Sequence, residues 1–237
     1  MLRAAHEFSV ASVKAKYSYN FHSLGVPIIQ YPQDIVAMQE LIWSVKPDLI
    51  IETGIAHGGS LVQSAAMLAL LDMSDAIISG DSLDPRASAR TVLGIDIDIR
   101  SHNREAIEAH PMSSRIRMIE GSSVSEEVVD QVREFAKEYS RVMVCLDSNH
   151  THEHVLAELN AYAPLVSVGS YCVVFDTFIN DMPGDSYPDR PWDSGDNPKT
   201  AVREFLESNG QFLIDKAIDS KLIITVAPDG YLQRVSE

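Results

Sequence analysis

Cysteine is nearly absent: Cys145 and Cys172 are the only two in 237 residues. Each lies inside an apolar, β-forming run, so both read as buried free thiols, and a disulfide framework is excluded. Basic residues are scarce, 19 Lys and Arg against 34 Asp and Glu, for a formal net charge of −15. Such a surface repels phosphate backbones and anionic lipid, so no nucleic-acid partner is expected. No apolar run reads as long enough to cross a bilayer, so no membrane insertion is expected either. The opening residues, Met1-Leu2-Arg3-Ala4-Ala5-His6-Glu7, carry no apolar signal core, and the expected location is cytoplasmic. The dinucleotide fingerprint G-x-G-x-x-G and the phosphate loop ending in G-K-[ST] are also missing.

What is present is an alternation. Strand-like runs at 48–52, 92–96, 116–119, 141–147 and 170–176 alternate with helical patterns at 34–45, 59–71, 101–109, 125–138, 152–163 and 198–208. Near-continuous β-rich apolar runs suit parallel strands covered on both faces. The pattern predicts an α/β, Rossmann-like doubly wound sheet in a single domain over 1–237. Near the end, 211–214 and 222–226 read as two strands joined without a helix, hence an antiparallel hairpin at one sheet edge. Residues 72–91 read as an insertion. Residues 177–197, rich in Pro and Gly, read as a substrate lid carrying Tyr187 and Trp192. Residues 1–33 read as an arm packing over the site or a neighbouring subunit, and a homo-oligomer is expected.

The most informative stretch is Leu49-Ile50-Ile51-Glu52-Thr53-Gly54-Ile55-Ala56-His57-Gly58-Gly59-Ser60. An apolar run ends in an acid, a glycine turn comes next, and two more glycines and a serine open a helix. That is how a parallel α/β protein brings backbone close to a nucleotide-like ligand. Asp96 closes the second strand, where an acid holds ribose hydroxyls. Gly121-Ser122-Ser123 comes after the third strand and is placed to flank an adenine. Asp147 and Asp176 end the fourth and fifth strands. Two neighbouring carboxylates repel unless hydrogen-bonded or shared by a cation, and oxygen ligands describe Mg²⁺. His150, three residues after Asp147, is placed to take a proton from an acceptor hydroxyl. His152 and His154 read as surface helix residues, and a zinc site is disfavoured because no cysteine accompanies them.

Taken in order, Glu-Thr-Gly-x-x-x-Gly-Gly-Ser, Gly-Ile-Asp-Ile-Asp, Asp-Ser-Asn-His and Val-Val-Phe-Asp resemble the class I S-adenosylmethionine-dependent methyltransferases. Within them the chain is similar to the cephalosporin hydroxylase and rhamnosyl O-methyltransferase group. The resemblance implies a seven-stranded sheet with an antiparallel final strand. It implies that Glu52, Gly54, Gly58 and Ser60 line the methionine part of S-adenosylmethionine, that Asp96 takes the ribose, and that Ser122 and Ser123 lie near adenine. It implies Mg²⁺ on Asp147 and Asp176, with His150 as general base and Asp147 as a catalytic ligand. The expected third ligand has no clean match: Phe175 precedes Asp176 and Thr177 succeeds it, with Thr177, Asn180 or Asp181 as substitutes. The implied reaction is methyl transfer to a hydroxyl of a sugar or glycosylated metabolite, as in polysaccharide biosynthesis. Rival expectations are a step on a β-lactam or other antibiotic, a nicotinamide oxidoreductase, and a non-catalytic Rossmann-like binding protein.

Overall fold

The structure is a computed structural model that describes residues 1–184 and 186–237. Five strands run parallel in its centre: β3 (Leu49–Thr53), β4 (Thr91–Asp96), β5 (Ile116–Glu120), β6 (Val142–Leu146) and β7 (Tyr171–Val174). With β8 (Phe212–Ile214) and β9 (Tyr231–Arg234) they make a seven-stranded sheet in the order β5-β4-β3-β6-β7-β9-β8. Strand β9 is antiparallel to both neighbours, so it alone runs against the rest. A small hairpin, β1 (Phe21–Ser23) and β2 (Val26–Ile28), stands apart from this sheet.

The sheet is covered on both faces, as continuous apolar strands require. Ile50 points to the face under α2 (Pro32–Val45) and α3 (Gly59–Ser79), packing with Ile42, Leu61 and Leu68. Its neighbours Leu49 and Ile51 point to the other face. There α5 (Glu126–Ala136), α6 (His152–Tyr162) and α7 (Pro198–Ser208) supply Val132, Leu159 and Phe205. The period-two alternation of a strand thus feeds two cores at once. Local signals set the helix starts. Ser125 accepts from the backbone N–H of Val128, and Asn197 with Thr200 forms a capping box before Pro198.

Three expectations change. Residues 222–226 are not a strand. Asp215 caps a short helix, α8 (Lys216–Leu222), by accepting from the N–H of Ala217. The Leu-Ile-Ile-Thr-Val run then satisfies its backbone elsewhere: Val226 donates to Asp34, and Thr225 bonds the same carboxyl. A short apolar run does not reveal its geometry by periodicity; the final strand is 231–234. The 72–91 insertion is also shorter than read, because α3 continues to Ser79 and stops at Gly80, which sits in the left-handed region at φ +78°. Finally, α3 is long and apolar enough by length and composition to cross a membrane. Its inner face, with Leu61, Val62, Ala65, Leu68 and Leu71 sealed from solvent, packs on the sheet.

The N-terminal arm folds over its own chain. Helix α1 (Leu2–Lys14) is pinned by an aromatic cluster in which Tyr17 packs edge-on against Phe8, Phe21 and Tyr31, at 5.3, 5.1 and 5.5 Å between ring centroids. Tyr31 in turn meets Phe178 beyond β7. The arm is thereby fixed above the carboxyl ends of the strands.

Candidate active site

The strand order reverses between β3 and β6, the topological switch point where ligands bind in open α/β sheets. A cleft of about 550 Å³ opens there. Its floor is the turn 54–60 and the turn after β6; its walls include Tyr31, Tyr187 and Trp192.

The turn can form only with glycine. Asp147 donates its N–H to Thr53 O, drawing the β3 and β6 turns together. A Cβ on Gly54 would lie 2.1 Å from the carbonyl oxygen of Asp147, and φ there is +88°. Gly58, at φ +89°, leads directly into α3, whose first residues Gly59 and Ser60 line the cleft. Beneath the turn Glu52 is buried and accepts from the hydroxyl of Ser60. Burial pushes the Glu52 carboxyl up to about 7, with the Ser60 bond opposing. Asp96 braces the same turn: Oδ2 accepts from the N–H groups of Ile55 (2.8 Å) and Ala56 (3.3 Å), and Oδ1 from Asp98.

At the other side of the cleft, Asp147, His150 and Asp176 bring one ligand atom each to within 4.8 Å of one another. They are the one such cluster among the described residues. Asp176, two residues after β7, sits in the left-handed region at φ +56°, a conformation that Asp adopts more readily than most non-glycine residues. His150 Nε2 lies 3.1 Å from Asp176 Oδ2. Gln30, from the arm, donates to Asp147 Oδ2 at 3.2 Å. Burial, then the charge of Asp176, holds the Asp147 carboxyl well above the usual carboxylate range. Burial also raises Asp176, while His150 opposes the shift. Two half-buried acids, the charge of one raising the cost of ionising the other, with a third donor beside them, fit a divalent cation of the oxygen-preferring kind.

His150 completes this cluster, and the side chains of Thr177, Asn180 and Asp181 do not join it. Thr177 turns its hydroxyl to the carbonyl of Pro228 (2.7 Å) and is fully buried. Asn180 donates to Asp181, whose carboxylate pairs with Lys199 at 2.9 Å. The 3-10 turn after Asp176 winds these side chains away from the cleft. The serines also separate. Ser123 is buried and its hydroxyl donates to Glu158, so it does not line the cleft; Ser122 accepts from Ser125 through its carbonyl. His152 is tied to Thr200 and Glu204 of α7, and His154 lies within 3.2 Å of Ser123 and Ser148, so neither is a free surface residue.

In the expected lid segment, Trp192 packs edge-on against His150 with centroids 4.7 Å apart, and Tyr187 lines the cleft. The lid span 177–197 includes Asp185, which lies outside the described residues. Gln30 and Tyr31 escape sequence reading because their residue types and arm position carry no motif.

Comparison with known proteins gives the family and the fold. The family profile described as Rhamnosyl O-methyltransferase/CmcI covers residues 15–235. The chain belongs to that family. Its curated relatives include the rhamnosyl O-methyltransferases of Mycobacterium bovis and Mycobacterium tuberculosis, each 28% identical over 217 residues, covering 89% of this chain and 77% of the relative. Among solved structures, a CmcI structure with Mg and SAM aligns with a TM-score of 0.56, at 18% identity over 92% of this chain and 78% of that one. A TDP-rhamnose 3'-O-methyltransferase of calicheamicin biosynthesis aligns at 0.53, with 17% identity over 88% and 83%. These structural likenesses bear on the fold, and they match the seven-stranded sheet with its antiparallel final strand. Family membership makes this member an O-methyltransferase and sets aside the oxidoreductase and non-catalytic readings.

Proposed function

We propose that this O-methyltransferase moves the methyl group of S-adenosylmethionine to a hydroxyl of a sugar-linked small molecule, with Mg²⁺ assistance. The observation that carries the reading is the Asp147–His150–Asp176 cluster facing the Gly54–Ser60 turn across one cleft. Relatives named rhamnosyl O-methyltransferase support the sugar, and the CmcI structure with Mg and SAM supports the donor and the cation.

In this reading the turn residues Gly54, Gly58 and Ser60 bind the methionine part over buried Glu52. Asp96 accepts from the ribose beside the turn it braces. Ile97, 74% exposed, and Val124, 37% exposed, offer apolar surface to adenine after β4 and β5. Asp147 and Asp176 hold the cation, which supplies positive charge that lowers the acceptor's proton affinity. His150 takes the hydroxyl proton at Nε2, an effect of roughly 10²–10⁴-fold for a positioned base. Tyr187 and Trp192 cover the acceptor and exclude water, and Trp192 also fixes the His150 ring. Positioning the acceptor oxygen in line with the methyl group supplies much of the remaining acceleration. A cytoplasmic location and a homo-oligomer belong to the same reading, the first supported by two buried free thiols.

The test is incubation with S-adenosylmethionine, Mg²⁺ and a panel of rhamnosides and nucleotide-linked sugars, with products followed by mass spectrometry. A mass gain of one methyl group on a sugar is expected. Failure to bind S-adenosylhomocysteine in calorimetry overturns the reading.

A further inference from the structure

Helix α6 carries a carboxylate that the reaction does not use. Glu158 is completely buried. Its Oε1 accepts from Ser123 Oγ at 2.5 Å and from Ser148 Oγ at 2.7 Å. His154 Nε2 closes the group, 3.1 Å from Ser123 Oγ, 3.2 Å from Ser148 Oγ and 3.4 Å from Glu158 Oε1. One helical turn further on, Tyr162 donates its hydroxyl to the carbonyl of Ser123 at 2.5 Å.

The two serines come from different turns. Ser123 belongs to the β5–α5 turn, beside Ser122 and Val124. Ser148 directly succeeds Asp147 in the β6–α6 turn. A single carboxylate oxygen therefore joins the β5–α5 turn, which the S-adenosylmethionine reading places beside adenine, to the β6–α6 turn that carries Asp147. Stability alone does not call for this arrangement. Glu158 sits beside Leu159 and close to Val155 in an apolar core, where a buried carboxylate costs more than a well-packed apolar side chain unless every lone pair is met. Here Oε2 is buried with no partner among the described residues. The chain keeps a costly group at the junction of two ligand-bearing turns.

We propose that Glu158 is a positioning residue for the cofactor. Through Ser123 and Ser148 it locks the β5–α5 and β6–α6 turns in one relative position, so that the adenine end of the cleft is already shaped before the cofactor arrives. This rests on the S-adenosylmethionine reading. A preformed cleft binds more tightly because less ordering remains to be done on association.

The bridge makes a distinctive prediction, because cutting it at either end severs it. Ser123→Ala, Ser148→Ala and the double variant are compared with wild type in two measurements. In hydrogen exchange on the ligand-free protein, each single variant is expected to speed exchange in both turns, 121–125 and 147–151, including the turn that was not altered. In calorimetry with S-adenosylhomocysteine, each single variant is expected to bind about tenfold more weakly. The double variant is expected to bind no more weakly than the worse single, since the second cut removes nothing further. Faster exchange confined to the altered turn overturns the proposal. So do losses of affinity that multiply in the double variant, and so does unchanged affinity in both singles. A wild-type chain that fails to bind S-adenosylhomocysteine overturns the reading of the cofactor instead, and the exchange measurement still decides the bridge.

Discussion

His150 Nε2 stands 3.1 Å from Asp176 Oδ2 while the same ring lies edge-on to Trp192, so one imidazole is held between the turn after β7 and the Trp192 loop. That contact joins the Asp147–His150–Asp176 cluster to the loop that carries Trp192. His150→Ala is expected to lower kcat by roughly 10²–10⁴-fold and leave affinity for S-adenosylhomocysteine within about twofold. Steady-state kinetics and calorimetry on the same preparation check this. An equal fall in cofactor affinity would reassign His150 to binding.

The charge of Asp176 raises the cost of ionising Asp147, and a bound cation would relieve it. Asp147→Asn and Asp176→Asn are each expected to weaken Mn²⁺ binding, followed by electron paramagnetic resonance, by tenfold or more. Neither should lower the melting temperature of the metal-free protein, because each removes a partly desolvated charge from beside a second carboxylate. Wild-type turnover is expected to vanish on chelation and return with Mg²⁺. Full turnover after exhaustive chelation would remove the cation from the reaction.

Gly54 has no room for a side chain. Gly54→Ala places a Cβ 2.1 Å from the Asp147 carbonyl oxygen at a φ of +88°. The β3 and β6 turns must separate, so stability falls by more than about 1 kcal/mol, or about 2–4 °C in Tm for each kcal/mol in a chain of this size. Affinity for S-adenosylhomocysteine falls with it. Gly210→Ala, where nothing lies within 4 Å of the new Cβ and φ is not positive, is the control and should melt like wild type.

Asp34 links α2 to the segment before β9, bonded by Thr225, the Val226 N–H and Tyr231 (2.7 Å). Burial pushes its carboxyl up to about 6 despite these donors. The folded chain therefore holds a proton that the unfolded chain has released. This contribution to stability is fully present below about pH 4 and is lost as pH rises through about 6, by up to about 1.4 kcal/mol per pH unit. Urea unfolding of wild type and Asp34→Asn at pH 4.5 and 7 checks it. The stability difference between the two proteins should shift in favour of the variant at pH 7. A difference that stays constant over that range would show that Asp34 does not titrate there.

Much of the fold was legible in local sequence. Near-continuous apolar runs ending in acids place β3, β4, β6 and β7, since a strand buried on both faces must be apolar throughout. Glycine at 54 and 58 marks the turn because only glycine accepts those φ values without strain, and Asp147 and Asp176 stand out as the acids at two strand ends. Tertiary structure alone decided the rest. It turned Thr177 away from the cluster and placed His150 there, because a 3-10 turn after Asp176 directs the side chains of Thr177, Asn180 and Asp181 to other partners. It made 222–226 a backbone anchor for Asp34 rather than a strand, a choice set by a partner almost 200 residues away. It brought Gln30 to Asp147 and Glu158 to two serines on separate turns. Such pairings leave no period or spacing in the chain, because the contacts exist only once distant segments have packed.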